Sequence, residues 1–305
     1  MTMDAIVEWL HEGDVSIQYL TRKYLLGEKE EALIRLRKRI TTEGWGKSFL
    51  DARNSTGHWG KDFYQLRWTC SHYTLLDLRY LEIESVEPIM DTLGLILSHC
   101  KSPDGSISES QTIRSGDICV NGMFLNYASF FRVPEDDLKS VIDYLLDNVM
   151  PDGGFNCRKK ASHSSMHTTI SVLEGFCEYI KAGYQYRAYE LEKVKKNAEE
   201  FLLVHRLYKS DKTGEIIDKR WMMLSFPSRW RYDILRALLY FVDAGSTYDS
   251  RMDEAIELLI SKKRKNGIWP VQAKHPGLVH FDMEKTGSPS RFNTLRALRV
   301  LKKFG

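Results

Sequence analysis

Residues able to bind or protonate a small molecule crowd at a few places in this 305-residue chain. They are Trp68, His72 and Tyr73; Asp117 and Cys119; His163 and His167; Trp230, Arg231, Tyr232 and Asp233; and Arg291 with Phe292. Trp68, Tyr73, Trp230, Tyr232 and Phe292 offer apolar wall and cation-stabilising π faces. Arg231 and Arg291 carry planar forks suited to a diphosphate or carboxylate head group. Asp117, His167 and Asp233 are the acid–base candidates, and His163 and His167 are spaced to share a helix face. Apolar walls with a few convergent polar groups are the usual form of a small-molecule site. The competing reading is that the same residues cap helices and plug the space between them. No GxSxG, Walker loop, GxGxxG or HExxH occurs, so none of those motifs argues for another enzyme class.

The elements that must position these residues follow from an internal repeat. A glycine followed two positions later by a large apolar residue recurs in Gly57-His58-Trp59, Gly105-Ser106-Ile107, Gly153-Gly154-Phe155, Gly214-Glu215-Ile216 and Gly267-Ile268-Trp269. Asp104, Asp152 and Asn266 precede three of these glycines, which is turn chemistry. A period of roughly 50 residues means one supersecondary unit stacked on copies of itself. Helical spacing precedes each turn, and a second helical pattern follows it at 72–81, 117–131, 166–180, 231–241 and 291–301. The last two share a frame: Ser228, Arg231, Tyr232, Asp233, Leu235-Arg236-Ala237-Leu238 against Ser288, Arg291, Phe292, Asn293, Leu295-Arg296-Ala297-Leu298. Strand alternation is missing and no linker interrupts the pattern. The charged run at 187–200 keeps helical spacing, and Lys262-Lys263-Arg264-Lys265 suits the end of an outer helix. The sequence predicts one all-α domain over 1–305: a helical cap at 1–43, then about five repeats over 44–305. Trp45, Trp59 and Trp269 are expected as core wedges.

Composition narrows the function. Lys+Arg 44 against Asp+Glu 41 gives a net charge of +3, too even for a dedicated nucleic-acid surface. Five cysteines in no dense spacing do not make a disulfide framework. The acidic start MTMDAIVEWLHEGD is unlike a signal peptide, and no stretch reaches the apolar length of a membrane span. A soluble protein of a reducing cytoplasm is expected.

Helical hairpins joined by (D/N)Gx(W/F) turns resemble the α/α toroid of squalene-hopene cyclases and protein prenyltransferase β subunits. The chain most resembles uncharacterised bacterial proteins carrying prenyltransferase/squalene-oxidase repeats. The likeness lies in residues 9–14 with Ser16-Ile17, in 67–76, 151–157 and 163–175, and in 290–298. It implies an α/α toroid of five to six helical hairpins, whose second helices line an inner ring opening onto a central cavity. It implies a hydrophobic ligand there, an isoprenoid among the candidates. It also implies zinc at Asp117, Cys119 and His167, since an Asp-x-Cys and a later His bind that metal in prenyltransferase β subunits. Carboxylate, thiolate and imidazole suit Zn²⁺ with a fourth position open. Against this, Cys119 can pack as a small apolar residue, His167 as a wall residue and Asp117 as an N-cap, so no cofactor is assigned.

The chain also departs from that pattern. The Asp-x-Asp-Asp acid of the cyclases is missing; its nearest match, Pro134-Glu135-Asp136-Asp137, is expected in a loop away from the cavity. The paired magnesium motif of diphosphate-ionising cyclases is missing too. Ordinary terpene cyclisation is therefore disfavoured. Two function classes remain: an enzyme or binder with a ligand in the cavity, or a non-catalytic helical-repeat interaction protein. A deep, aromatic-lined pocket favours the first, and a plugged ring with an exposed apolar patch favours the second.

Overall fold

A computed structural model describes residues 1–109, 115–158 and 160–305. Six helices form an inner ring: α2 (Val15–Tyr24), α5 (Ser71–Tyr80), α7 (Ile118–Phe130), α9 (Met166–Lys181), α11 (Ile234–Asp243) and α13 (Arg291–Phe304). Each packs on the next in that order from α5 to α13, and α13 packs on α2. The junction from α2 back to α5 is made by Glu82, just past α5. It accepts from Lys23 at 2.7 Å and from the Tyr24 hydroxyl. The ring is thus closed, and the all-α toroid expected from the repeat is what the chain adopts.

The outer layer comprises α1 (Met3–His11), α3 (Glu30–Arg39), α4 (Gly44–Asp51), α6 (Glu87–His99), α8 (Glu135–Leu146), α10 (Ala188–Val204) and α12 (Asp253–Ser261). The segment 4–43, expected to pack as a cap, supplies α1 to α3; its middle helix occupies the ring between α13 and α5. Glu135, Asp136 and Asp137 form the first turn of α8 rather than a loop, where carboxylates favour the positive helix end.

The turns show why the repeat exists. Gly57, Gly105, Gly153 and Gly267 have φ between +82° and +90°, a left-handed conformation that glycine adopts without cost. The residues they point inward, Trp59, Ile107, Phe155 and Trp269, are all fully buried. Each wedge donates its backbone N–H to a side chain at the start of its inner helix: Ser71 (3.1 Å), Asn121 (2.7 Å), Thr169 (3.0 Å) and Thr294 (3.0 Å). The fourth turn departs from the pattern. Gly214 is left-handed, but Ile216 is 42% exposed and pairs in a short bridge with Lys209.

The tightest contact in the ring joins α7 to α9. A Cβ added at Gly122 would meet the Ser171 and Val172 backbone at 2.7 Å, and one at Gly175 would meet the Gly122 carbonyl at 2.4 Å. Two glycines let these helix backbones touch. Accordingly, α7 is buried almost all round, as an apolar helix without a polar face must be.

Candidate functional site

The mouth formed by the N-terminal ends of the ring helices, where the sequence crowds its polar and aromatic residues, is crossed by the segment 270–289. Trp68 donates its backbone N–H to Leu278 O (2.7 Å) and its indole N–H to Pro276 O (2.9 Å). Thr74 meets His280 at 3.0 Å, and Gln272 N–H donates to Leu224 O at 2.8 Å. Trp68 and Tyr73 lie beneath this plug with ring centroids 4.7 Å apart. His72 is fully buried with Nδ1 3.1 Å from the Tyr127 hydroxyl and Nε2 unbonded. Burial disfavours its charged form and pulls its pKa down to about 3.

To one side of the plug lies a wide hollow of about 1000 Å³ that takes in six of the expected residues: Asp117, Cys119, His163, His167, Trp230 and Arg231. His167, in the first turn of α9, accepts from Tyr232 N–H at Nδ1 (2.8 Å) and lies edge-on to Trp221 and Trp230. Burial and then the neighbouring Arg236 and Arg231 lower its pKa to about 4. His163 is exposed in the loop before α9, so the two histidines do not share a helix face. Arg231 stacks on Trp230 at 4.7 Å, and its Nε is buried without a partner.

The metal-ligating types that come together here are not those expected. Asp117, Cys119 and Cys157 bring one ligand atom each within 4.8 Å of one another, the only such group among the described residues. His167 is not in this group, and its Nδ1 accepts from Tyr232 N–H. Cys157 sulfur accepts from Cys119 N–H (3.2 Å) and sits 3.4 Å from Thr168 Oγ1. The Cys119 thiol donates a hydrogen bond to the Cys157 sulfur, which lowers the Cys157 pKa and raises that of Cys119. Two thiols and a carboxylate can hold a soft divalent ion. Asp117 occupies the N-cap position of α7 without making the capping bond.

The other expected residues go elsewhere. Asp233 is buried as the N-cap of α11, accepting from Arg236 N–H (2.9 Å) and Ser225 Oγ (2.8 Å). This cap delays α11 to residue 234, so Arg231 and Tyr232 precede the helix whereas Arg291 and Phe292 begin α13. Tyr232 is buried with its hydroxyl on Leu207 O. Arg291 turns outward to α1, donating to Trp9 O (2.8 Å) beside Glu12 (3.6 Å). The paired arginines therefore do not converge.

A second cavity, of about 210 Å³, lies on the ring axis and is walled by all six ring helices. It runs from Phe226, Ser228 and Phe292 to Lys23, Glu82, Lys181 and Asp243 at the C-terminal helix ends. Lys181 is exposed, so that end faces solvent. Phe292 is the expected ligand residue found here, stacked on Phe226 at 4.0 Å. Four ion pairs cross the wall: Lys23–Glu82 (2.7 Å), Arg79–Glu178 (2.7 Å), Arg236–Glu174 (2.7 Å) and Arg299–Asp243. Sequence reasoning missed these residues. The one available signal was Arg236 and Arg296 recurring inside an otherwise apolar frame.

No protein-family model matches the chain, and no curated protein matches it. Among solved structures it is similar to a family 88 glycosyl hydrolase from Bacteroides vulgatus (10% identity, 94% of this chain and 88% of that one, TM-score 0.53). It is likewise similar to a polysaccharide lyase (13% identity, 97% and 95%, TM-score 0.51). A variant of the type II terpene cyclase MstE from Scytonema, bound to merosterolic acid A, aligns over 99% of both chains at 12% identity with a TM-score of 0.37. At such identities the first two likenesses establish a shared helical toroid fold and nothing finer.

Proposed function

We propose that residues 1–305 form one ligand-binding toroid that holds a small organic molecule in the axial cavity. The observation that carries this reading is the cavity itself, walled by every ring helix and facing solvent at the C-terminal helix ends. Phe130, Phe226, Tyr240 and Phe292 give an apolar wall, while the ion-paired residues give a polar one. A ligand with an apolar body and a polar group matches both; a bare isoprenoid hydrocarbon matches the first alone. An isoprenoid body bearing such a group is compatible with the resemblance of the sequence to squalene-hopene cyclases and prenyltransferase β subunits.

Binding, rather than cyclisation, is the activity supported. Each of the four carboxylates lining the cavity lies against a cation, so none stands free to approach an alkene. Glu82 illustrates this: burial would raise its pKa, but Lys23 and Arg79 bring it below the ordinary value.

Native mass spectrometry of the full chain, freshly purified from its own host, tests the reading. A mass surplus on the wild type that disappears in Leu239→Trp, which fills the cavity, is the expected result. Identical, unadorned spectra for both proteins would overturn it.

A further inference from the structure

One ring helix makes an ion pair that the next does not, although the frame around its arginine recurs. In α11, Arg236 makes a bidentate bond to Glu174 of the preceding ring helix α9, at 2.8 and 2.7 Å. Arg296 is the counterpart of Arg236 in the shared Leu-Arg-Ala-Leu frame. The acid it should meet can be located by register. Thr169 and Thr294 do the same job, each accepting the N–H of its own turn wedge, so they stand at the same height in their helices. Ile234 is the counterpart of Thr294 in the frame, and five residues on from Thr169 and Ile234 are Glu174 and Leu239. A leucine stands where the acid would be.

Arg296 is consequently left as a buried cation. It is 8% exposed, makes no ion pair among the described residues, and has one long bond, to Asn293 Oδ1 at 3.5 Å. A guanidinium has five N–H donors, and burying it without a carboxylate is costly. Arg296 and Leu239 both line the axial cavity, as does Tyr80, whose buried hydroxyl has no hydrogen-bond partner. Around them the cavity lining holds six cations (Lys23, Arg79, Lys181, Arg236, Arg296, Arg299) and four carboxylates (Glu82, Glu174, Glu178, Asp243). The difference, six minus four, is an excess of two positive charges.

We infer that Arg296 and Tyr80 form an anion-binding subsite of the axial cavity, which takes the carboxylate or phosphate group of an otherwise apolar ligand. The ligand's anion replaces the acid that Leu239 omits, and Tyr80 donates to it alongside the guanidinium. This rests on the reading that the axial cavity is the ligand site.

The test is calorimetric titration of the full chain with 4-phenylbutyrate, phenyl phosphate and the neutral 4-phenylbutyramide. An anion bonded to a guanidinium should bind about tenfold or more tightly than the neutral amide. The stronger of the two anionic arms identifies the head group. Leu239→Glu, which restores the acid found in the neighbouring pair, should abolish the preference, as should Arg296→Met; Tyr80→Phe should reduce it. Without ligand, Arg296→Met should melt no lower than wild type, because it removes an unpaired buried charge; a drop of several degrees would make Arg296 structural and overturn the assignment. Equal binding of acid and amide, blocked by Leu239→Trp, would sink the anion subsite and leave the cavity reading standing. Failure of all three probes to bind wild type would overturn both.

Discussion

Trp59 and Trp269, in the first and last repeat turns, make the same hydrogen bond: each donates its indole N–H to the carbonyl ten residues upstream, Phe49 at 2.6 Å and Leu259 at 2.7 Å. Both rings are fully buried between the outer helix they follow and the inner helix they precede. Trp269→Ala should therefore cost about 3–5 kcal/mol, the usual loss for a large core aromatic. Trp269→Phe keeps much of the volume but loses the indole bond to the Leu259 carbonyl, which still accepts from Lys262 N–H at 3.2 Å, adding about 0.5–1.5 kcal/mol to its packing loss. Urea unfolding of the two variants checks both values; wild-type stability in Trp269→Ala would remove the wedge role.

The Arg236–Glu174 pair should matter more than any surface ion pair of the chain. Arg236 also donates to the carbonyls of Arg229 (3.2 Å) and Arg231 (2.9 Å), so it fixes the loop leading into α11. Glu174→Ala leaves that guanidinium buried and unpaired, and should destabilise by about 3–5 kcal/mol. Arg39→Ala, which breaks the exposed pair with Glu43, should leave stability close to wild type. Equal losses in the two variants, read by thermal unfolding, would refute the distinction.

The sequence announced the toroid because its turns obey local rules: four left-handed glycines, each followed by a wedge that reaches the core. It misjudged the fourth turn, since Gly214 and Ile216 have the right spacing but the chain bridges Lys209 to Ile216 and leaves the wedge outside. Which end of the ring carries the axial cavity was not legible. That depends on the segment 270–289, which has no periodicity and is held by backbone bonds to Trp68 and Leu224. Likewise His167 looked like a metal ligand until Tyr232 N–H, 65 residues away, took its Nδ1. Long-range backbone partners leave no trace in residue type. Arg296 could have been read only by noticing that its frame repeats while the facing acid does not.

Stability should fall in mild acid. The pKa of His72 lies at about 3 in the folded chain against 6.5 for the free side chain, so the unfolded state binds the proton first. Its contribution is complete above the unfolded value and is lost as pH falls from 6.5 toward 3. At pH 5 that is a loss of about 2 kcal/mol. Asp77 opposes the trend, because burial raises its pKa to about 6 despite Arg229. The measurement is therefore the difference between wild type and His72→Phe in urea melts at pH 7.5 and pH 5. Parallel losses in both proteins would show that His72 does not titrate this way.

The Cys119–Cys157 contact predicts a disulfide under oxidant. Their sulfurs lie within 4.8 Å, and both residues face the wide hollow beside the plug. Diamide should remove two hydrogens from the chain and block both thiols to alkylation, whereas Cys119→Ser should leave Cys157 free. Peptide mapping that instead finds both thiols alkylated after treatment would contradict the geometry.

The closest helix crossing gives the sharpest packing test. Gly122 meets the backbone of Ser171 and Val172, and no side-chain rotation can relieve a methyl group placed there. Gly122→Ala must push α7 and α9 apart, and overpacking of this kind costs about 1–3 kcal/mol. Gly94 lies in α6 with nothing within 4 Å of an added Cβ, so Gly94→Ala should be neutral or stabilising by up to about 1 kcal/mol through helix propensity. Because α7 and α9 both wall the axial cavity, the separation should also reach its lining at Asn126 and Glu174. Gly122→Ala should therefore weaken 4-phenylbutyrate binding as well as lower the melting temperature, while Gly94→Ala leaves binding unchanged. A Gly122→Ala protein with wild-type melting and wild-type affinity would show that the two helices are not in backbone contact.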